Sequence, residues 1–401
     1  MAVDLSINFC GVKFPHPFTL AAAPPTDDAE MVARGFEAGW AAAVLKTTSV
    51  ESEKVSLVYP MMAGLDHEDK RLIAMENIDL ISEHHIDRVE KNVRYLKKEF
   101  PNKVLIASIM GARKEHWQEL VTRLEAAGVD LIECSFSCPH GMPERGMGST
   151  IGQDPELTER TARWVKEAAK RAPVVIKLTP QIADITSTAR AVKRSGADGV
   201  CAINTVKSLM GVDLETFIPY PQVAGHSTYG GMSGPAIKPI ALRCVAEIAR
   251  AVDIPIAATG GIGTWRDGAE FLLVGARNLQ VCTAVMRHGY RVIEDLLDGL
   301  SNYLERKGFQ SVEELVGLAL PKIVEHSHLP RGKKVVATIN RELCTRCDVC
   351  YLSCRDGGHQ AIEIRAEREP LVLEEKCFGC AMCTLACPVP GCITMKNLAT
   401  A

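Results

Sequence analysis

The stretches CTRCDVCYLSC at residues 344–354 and CFGCAMCTLACP at residues 377–388 determine the fold of the C-terminal part of the chain. Each contains a C-x2-C-x2-C run and, after three further residues, a fourth cysteine. Three thiolates at this spacing can hold one iron–sulfur cube from a tight turn, while the fourth cysteine starts a helix that carries it to the other cube. The sequence therefore predicts two [4Fe–4S] clusters, one bound by Cys344, Cys347, Cys350 and Cys387 and the other by Cys377, Cys380, Cys383 and Cys354.

Zinc ligation is the alternative interpretation of these cysteines. Zinc sites usually combine two separated C-x2-C pairs, whereas each run here has four cysteines. Nine of the 15 cysteines follow residue 343, and residues 1–18 show neither the basic nor the apolar stretch of a signal peptide. We therefore expect a cytoplasmic protein whose cysteines bind metal rather than form disulfides. Cys392 has no assigned role, and we expect it to be a small buried residue.

The composition is that of a globular protein without a dominant charge. Of the 401 residues, 47% are hydrophobic and 24% are charged, and the formal net charge is -3. This balance gives no electrostatic basis for binding nucleic acid or an anionic membrane. No apolar run reaches the roughly 18 residues that a membrane helix requires. We expect neither kind of partner.

Apolar, β-branched segments alternate with helical segments from the start of the chain to about residue 309. The eight strand candidates are residues 18–23, 41–47, 104–110, 131–136, 174–178, 199–204, 255–259 and 279–283. Helical patterns cover residues 86–100, 116–127, 155–171, 236–251 and 289–306. Near-continuous hydrophobic strands followed by crossover helices form parallel sheets, and eight such units close a barrel. The pattern therefore predicts a (β/α)8 TIM barrel.

A doubly wound open sheet is the structural alternative, but no dinucleotide fingerprint follows the first strand. The predicted architecture is α/β. It has a barrel over residues 1–309, a helical segment and linker over 310–335, and a small α+β ferredoxin-like domain over 336–401. Two long connections, one after Thr47 and one around residues 139–152, interrupt the alternation, and such loops are usually functional or disordered.

Candidate phosphate-binding residues stand at the ends of the seventh and eighth predicted strands. The residues concerned are Thr259, Gly260 and Gly261 after the seventh strand, and Cys282 and Thr283 after the eighth. Barrels commonly bind phosphate at these two loops, where backbone N–H groups and helix N-termini face the anion. The run GGMSG at residues 230–234 could close over the same group. Together these residues indicate a mononucleotide site.

Two lysines, Lys46 and Lys177, end strands that are otherwise apolar. A lysine in this position is either a snorkelling surface residue or an active-site cation. Asn204 and Thr205 end a third strand, which favours a site at the barrel mouth. Cys138 follows a strand in a loop, where its thiol could act as a general acid on a segment able to move as a lid.

Five stretches, in order along nearly the whole chain, match known enzymes. They are NIDLIS at 77–82, SCPHGMPERGMG at 137–148, KLTP at 177–180, INTV at 203–206 and YGGMSGPAIKPIALR at 229–243. With them the chain resembles the catalytic subunits of NAD-dependent dihydropyrimidine dehydrogenases and, more distantly, dihydroorotate dehydrogenases. The resemblance implies an FMN-dependent oxidoreductase that acts on CH–CH groups and reduces the 5,6 double bond of uracil or thymine in pyrimidine catabolism.

The resemblance also implies roles for individual residues. The flavin ring would contact Lys46, Thr47 and Lys177. The FMN phosphate would be held by Gly234, Thr259, Gly260, Gly261, Cys282 and Thr283, with the backbone of Ala22 nearby. The pyrimidine would be held at the positions of Asn77, Asp79, Ser135, Ser137, Asn204 and Thr205. Cys138 would donate a proton to one ring carbon while hydride adds to the other.

Two of these positions depart from the family pattern. The family has Asn-x-Glu where this chain has Asn77, Ile78 and Asp79, and it has Asn where this chain has Ser135. A hydroxyl offers fewer fixed contacts to a pyrimidine edge than an amide does. Because lost polar contacts can change substrate discrimination by orders of magnitude, another unsaturated cyclic amide is an alternative substrate.

No G-x-G-x-x-G motif follows a predicted strand, so electrons must arrive through the clusters from another polypeptide. In the family this partner is a flavoprotein subunit that oxidises NAD(P)H, and the barrel chains also pair. The resemblance thus implies a homodimer within a heterotetramer. A dihydroorotate dehydrogenase is disfavoured because no residue is identified to bind the orotate carboxylate. A pure electron carrier is disfavoured by Cys138 and the paired lysines.

Overall fold

The computed structural model describes residues 3–51, 55–66, 72–138 and 148–398. These residues form two compact units, one ending at Lys322 and one starting at Ile323. Within the described part of the chain, no helix has both the length and the apolar composition that crossing a bilayer requires.

Among its described residues, the first unit contains fourteen strands, which are β1 (Ile7–Phe9), β2 (Val12–Phe14), β3 (Phe18–Leu20), β4 (Ala42–Val44), β5 (Met62–Asp66), β6 (Leu72–Asn77), β7 (Val104–Ile109), β8 (Leu131–Ser135), β9 (Val174–Leu178), β10 (Gly199–Ala202), β11 (Val206–Ser208), β12 (Gly230–Ser233), β13 (Ile256–Thr259) and β14 (Asn278–Val281). Its helices are α1 (Ala29–Glu37), α2 (Ile86–Glu99), α3 (Lys114–Ala127), α4 (Ser149–Gly152), α5 (Pro155–Ala168), α6 (Ile185–Ser195), α7 (Lys238–Ala251), α8 (Trp265–Leu273), α9 (Thr283–His288) and α10 (Val292–Lys307).

Eight of these strands close into a parallel barrel in the order β3, β4, β7, β8, β9, β10, β13 and β14. They coincide with the eight predicted segments to within a few residues at each end, so the predicted TIM barrel is confirmed. Every residue of β7, β8 and β9 is buried. Strands of this kind are apolar throughout because helices cover the outer face while side chains fill the interior.

Local signals in the sequence fix where the barrel helices start and stop. Asp154 caps α5, because its side chain accepts hydrogen bonds from two backbone N–H groups of the first turn, and Pro155 occupies the first helical position. Thr264 and Asp267 form a capping box at the start of α8. Gly128 and Gly196 end α3 and α6 in the left-handed conformation.

A second, four-stranded sheet in the order β11, β12, β6, β5 accompanies the barrel. The sequence did not predict this sheet. The connection after Thr47 was interpreted as a long loop, but it contains β5 and β6. Most of the glycine-rich run at 230–234, which is predicted to close over the phosphate, is strand β12. The other predicted long connection falls largely on residues 139–147, which lie outside the described part.

The second unit is a small α+β structure. Its elements are β15 (Val335–Ile339), α11 (Val349–Gly357), β16 (Ile362–Ile364), β17 (Pro370–Val372), α12 (Met382–Ala386) and β18 (Ile393–Asn397). β15 pairs antiparallel with β18, and β16 pairs antiparallel with β17. The fourth cysteine of each run was expected to start a helix, but α11 starts at Val349 and α12 at Met382, each one residue before the third cysteine. Cys354 therefore lies within α11, and Cys387 directly follows α12.

Candidate functional site

A cavity opens at the carboxyl ends of the barrel strands and gathers the residues singled out from the sequence. The predicted residues that line it are Ala22, Lys46, Thr47, Asn77, Asp79, Ser135, Cys138, Lys177, Asn204, Thr205, Gly234, Thr259, Gly260, Gly261, Cys282 and Thr283. The remaining one, Ser137, is fully buried behind this lining. Parallel strands of a barrel all end on one side, so residues far apart in sequence meet there.

Lys46 lies between two carboxylates at this cavity. Its Nζ atom is 3.1 Å from Oδ2 of Asp79 and 3.6 Å from Oδ2 of Asp27. Asp27 in turn accepts a hydrogen bond of 2.5 Å from the Ser82 hydroxyl. Burial raises the pKa of Asp79, although the Lys46 ammonium opposes this effect. Asp79, predicted to bind the substrate, therefore lines the cavity as the ion-pair partner of Lys46.

Lys177 is the second lysine of the cavity and has different partners. Its Nζ atom lies 3.4 Å from Oε1 of Glu133 and 3.4 Å from Oε1 of Gln280. Burial lowers the pKa of Lys177, but the groups that raise it, the Glu133 carboxylate first and then Cys201 and Cys282, together keep the pKa above its ordinary value. Lys177 is thus a buried, charged ammonium at the cavity wall.

Sequence reasoning missed Glu133 and Gln280. Both belong to apolar strands, LIECS and NLQV, in which every residue is buried. The same signal that identified the lysines, a polar residue within a buried strand, could have identified these two residues as well.

The glycine turn after β13 provides backbone donors for an anion. The N–H groups of Gly260 and Gly261 donate no hydrogen bond to any residue that the structure describes. Gly261 has a φ of +81°, and a Cβ atom there would lie 3.0 Å from the Gly234 carbonyl oxygen. The N–H groups of Gly263 and Thr264 are already bound to Asp267, at 3.0 and 2.8 Å. The glycine turn, rather than the start of α8, therefore offers unused donors.

Hydrogen bonds within the protein hold the two asparagine amides of the cavity. Asn204 donates from Nδ2 to the Ser137 hydroxyl at 3.0 Å, and its Oδ1 accepts from the Thr205 N–H at 2.8 Å. Asn77 donates from Nδ2 to the Gly231 carbonyl at 3.2 Å. These contacts fix the orientation of both amides before any ligand binds. Ser135 is buried beside Lys177, its partner in the β8–β9 register.

Cys138 follows β8 and lines the cavity at its rim. Its side chain packs against a small apolar cluster formed by Val55, Ile81 and Met110. Its carbonyl oxygen accepts a hydrogen bond of 3.1 Å from the N–H of Ser149, across the segment 139–147. This position allows the thiol to face a ligand in the cavity.

Within residues 323–398, two small cavities are lined by cysteines. Cys344, Cys347, Cys350 and Cys387 line one cavity, and Cys354, Cys377, Cys380 and Cys383 line the other. The spacing of the cysteines predicted the same two sets. Both runs turn sharply around their second cysteine, since Arg346 and Asp348 in one run, and Gly379 and Ala381 in the other, have positive φ. Cys392 is buried, as expected, and also lines the first cavity.

Two family models match the chain. A model described as dihydroorotate dehydrogenase matches residues 4–304, and one described as a 4Fe-4S dicluster domain matches residues 337–395. The second match covers the eight cysteines that surround the two small cavities.

Curated proteins similar to the chain are consistent with both matches. The NAD-dependent dihydropyrimidine dehydrogenase subunit PreA of Escherichia coli K12 is 46% identical over 401 residues, which cover 98% of this chain and 96% of PreA. The chloroplastic dihydropyrimidine dehydrogenase (NADP(+)) of Arabidopsis thaliana is 40% identical over 82% of this chain and 80% of its own length. The catalytic subunit of dihydroorotate dehydrogenase B (NAD(+)) from Pyrococcus abyssi is 36% identical over 79% of this chain and 99% of its own length.

The cofactors of the chain are FMN and two [4Fe–4S] clusters. The residues at the barrel mouth fit FMN, because the cavity combines unused backbone donors for a phosphate with two ammonium groups for a polar ring. The two sets of four cysteines likewise fit two cubes. On these matches the chain belongs to the dihydroorotate dehydrogenase family of flavoproteins, oxidoreductases that act on CH–CH groups, and it carries a 4Fe-4S dicluster domain.

Proposed function

We propose that the protein reduces the 5,6 double bond of uracil or thymine to the dihydropyrimidine. The observation that carries this proposal is the convergence of two lysines, two oriented amides and a cysteine on one cavity at the barrel mouth. A pyrimidine edge alternates hydrogen-bond donors and acceptors, which carboxamides and hydroxyls can match. The relatives named dihydropyrimidine dehydrogenase support this substrate class.

The residues around the glycine turn are proposed to hold the phosphate of FMN. They are Gly234, Thr259, Gly260, Gly261, Cys282 and Thr283, with the backbone of Ala22 nearby. Lys46, Thr47 and Lys177 are proposed to contact the flavin ring. A lysine ammonium in contact with the ring would favour electron-rich states of the ring over its oxidised state.

The pyrimidine is proposed to bind to Asn77, Asp79, Ser135, Ser137, Asn204 and Thr205. When bound and reduced, FMN supplies the hydride that adds to one carbon of the double bond. The Cys138 thiol gives its proton to the neighbouring carbon, and the resulting thiolate is reprotonated from solvent. Asn204, held by Ser137 and the Thr205 N–H, keeps the substrate ring in one orientation while the proton is transferred.

The electrons are proposed to come from another polypeptide through the two clusters. Because PreA is named as a subunit of an NAD-dependent enzyme, a flavoprotein subunit that oxidises NAD(P)H is the partner we expect. Two copies of this chain would pair within a heterotetramer in the cytoplasm. The FMN barrel is assigned to residues 1–309, a helical segment and linker to 310–335, and the cluster domain to 336–401.

The proposal is tested with photoreduced holoenzyme mixed anaerobically with single heterocycles. We expect uracil and thymine to restore the absorbance of oxidised flavin, while the ultraviolet absorbance of the ring is lost. Orotate and a panel of other unsaturated cyclic amides serve as comparisons. If the flavin stayed reduced with both pyrimidines but reacted with another ring, that ring would define the substrate and uracil and thymine would be excluded.

A further inference from the structure

A buried carboxylate lies behind the Lys177 ammonium. Glu133 on β8 is 1% exposed, and in the β8–β9 register it pairs with Val175, two residues deeper in the barrel than Lys177. Gln280 reaches the same point from β14, a strand that does not neighbour β9. Its Nε2 donates to Oε2 of Glu133 at 2.5 Å, while its Oε1 lies 3.4 Å from the Lys177 ammonium.

The three side chains therefore form a closed triangle across the barrel interior. Each side chain contacts the other two, so rotation of any one breaks two contacts. Lys177 and Gln280 line the cavity, whereas Glu133 lies beneath them and is sealed from it. Glu133 can therefore influence a ligand in the cavity only through Lys177 or Gln280.

We infer that Glu133 and Gln280 are positioning residues that hold the Lys177 ammonium charged and directed into the cavity. This inference rests on the proposal that Lys177 contacts the flavin ring. A buried ion pair is weak as a source of folding stability, because desolvation of both charges offsets their attraction. The triangle is better explained by the presentation of a fixed positive charge at the site where the ring gains electrons.

The charge on Lys177 depends on Glu133. Within the described chain, the titratable groups that act on Lys177 are Glu133, Cys201 and Cys282. Burial raises the pKa of the Cys201 thiol well above its ordinary value and that of Cys282 to about 11. Both thiols are therefore neutral near neutral pH, and the compensating negative charge comes from Glu133.

Glu133→Gln keeps the shape of the side chain but removes this charge. Burial then dominates, and the pKa of Lys177 falls into an accessible range. At pH values at which Lys177 is neutral in the oxidised variant, the negative charge of the reduced flavin would favour binding of an extra proton by Lys177. We expect the FMN reduction potential of the variant, plotted against pH between about 6 and about 10, to show a steeper segment that the unmodified enzyme lacks.

The potential is measured by spectroelectrochemistry of the holoenzyme, with the flavin signal separated from that of the clusters. Lys177→Met added to Glu133→Gln should abolish the steeper segment. Glu90→Gln is the matched control, because Glu90 pairs with Arg123 at 3.0 Å but does not line the cavity. A Glu133→Gln plot parallel to that of the unmodified enzyme at every pH would overturn the inference.

A Glu133→Gln protein that fails to fold still tests the pairing. If the unpaired ammonium is the cause, the double variant with Lys177→Met regains its melting temperature, because the buried charge leaves together with its partner. Failure of both variants to fold would assign Glu133 to core packing and overturn the inference. Neither measurement needs a pyrimidine, so a protein that ignores uracil and thymine would still report on Glu133.

Discussion

At the scale of single residues, the two cavity lysines differ in the charge of their surroundings. Lys46 has two carboxylates, Asp79 and Asp27, within 3.6 Å, whereas Lys177 has one, Glu133, at 3.4 Å. When every side chain is ionised, Lys46 with its two carboxylates carries a net charge of about -1, and Lys177 with Glu133 carries a net charge of about zero. Asp79, which stands where the family pattern has Glu, supplies one of the two carboxylates beside Lys46.

Removal of the Cys138 thiol is the residue-scale test of the acid step. We expect Cys138→Ala to slow ring reduction by about 10²-fold or more, because a positioned general acid contributes a factor of that order. FMN and cluster content should not change. The rate is measured as single-turnover reoxidation of reduced enzyme by uracil.

Cys244→Ala is the matched control for this variant. Cys244 is fully buried in α7 and does not line the cavity, so its loss should leave the rate unchanged. Equal rates for Cys138→Ala and the unmodified enzyme would exclude Cys138 as the acid.

At the scale of elements, one carboxylate organises the four-stranded sheet beside the cavity. Glu76 on β6 is fully buried and accepts hydrogen bonds from the Gly230 N–H at 2.8 Å, the Met210 N–H at 2.8 Å and the Ser208 hydroxyl at 3.1 Å. These bonds fasten β6 to segments more than 130 residues later in the chain. A buried carboxylate without such donors would be strongly unfavourable.

Gly230→Ala tests this arrangement, since a Cβ atom at that position would overlap the Glu76 side chain. We expect a loss of about 1–3 kcal/mol in unfolding free energy and weaker FMN binding, because Glu76 must give up buried hydrogen bonds. The temperature at which FMN is released, detected by the fluorescence of free FMN, reports on both the lower stability and the weaker FMN binding. Gly357→Ala is the control, as no atom outside its own helix and its chain neighbours lies within 4 Å of its Cβ position. An unchanged release temperature in Gly230→Ala would argue against this function of Glu76.

At the scale of the whole molecule, the chain combines a flavin-binding barrel unit with an iron–sulfur unit. The barrel unit places its polar residues at one cavity, and the second unit surrounds two cavities with cysteines. Clusters conduct electrons but offer no site for an organic ring.

Cys347→Ala tests the cluster assignment. We expect iron content to fall from about eight to about four atoms per chain, because one cube loses a ligand while the other keeps all four. Iron analysis and electron paramagnetic resonance of the reduced protein measure this loss, and FMN content should be unchanged. Cys392→Ser, in the same unit, should retain all of its iron. Zinc in place of iron in the unmodified protein would contradict the assignment altogether.

The sequence by itself determined the features that depend on local spacing. The C-x2-C-x2-C runs divided the cysteines into two sets. The alternation of apolar and helical segments located the eight barrel strands and the lysines at the ends of two of them. These features are readable because a turn, a strand or a helix is fixed mainly by residues close together in the chain. The ends of parallel strands must also meet in a closed barrel, so a shared site could be predicted.

Only the tertiary structure decided which side chains meet across the barrel and beside it. Gln280 contacts Glu133 although 147 positions separate them, and β12 pairs with β6 across a similar distance in the chain. Such contacts depend on strand register and barrel closure, which set distances that no local pattern encodes. For the same reason the pairing of Asp79 with Lys46 could not be predicted. Sequence gave the positions of the ionisable groups, and the fold determined their partners.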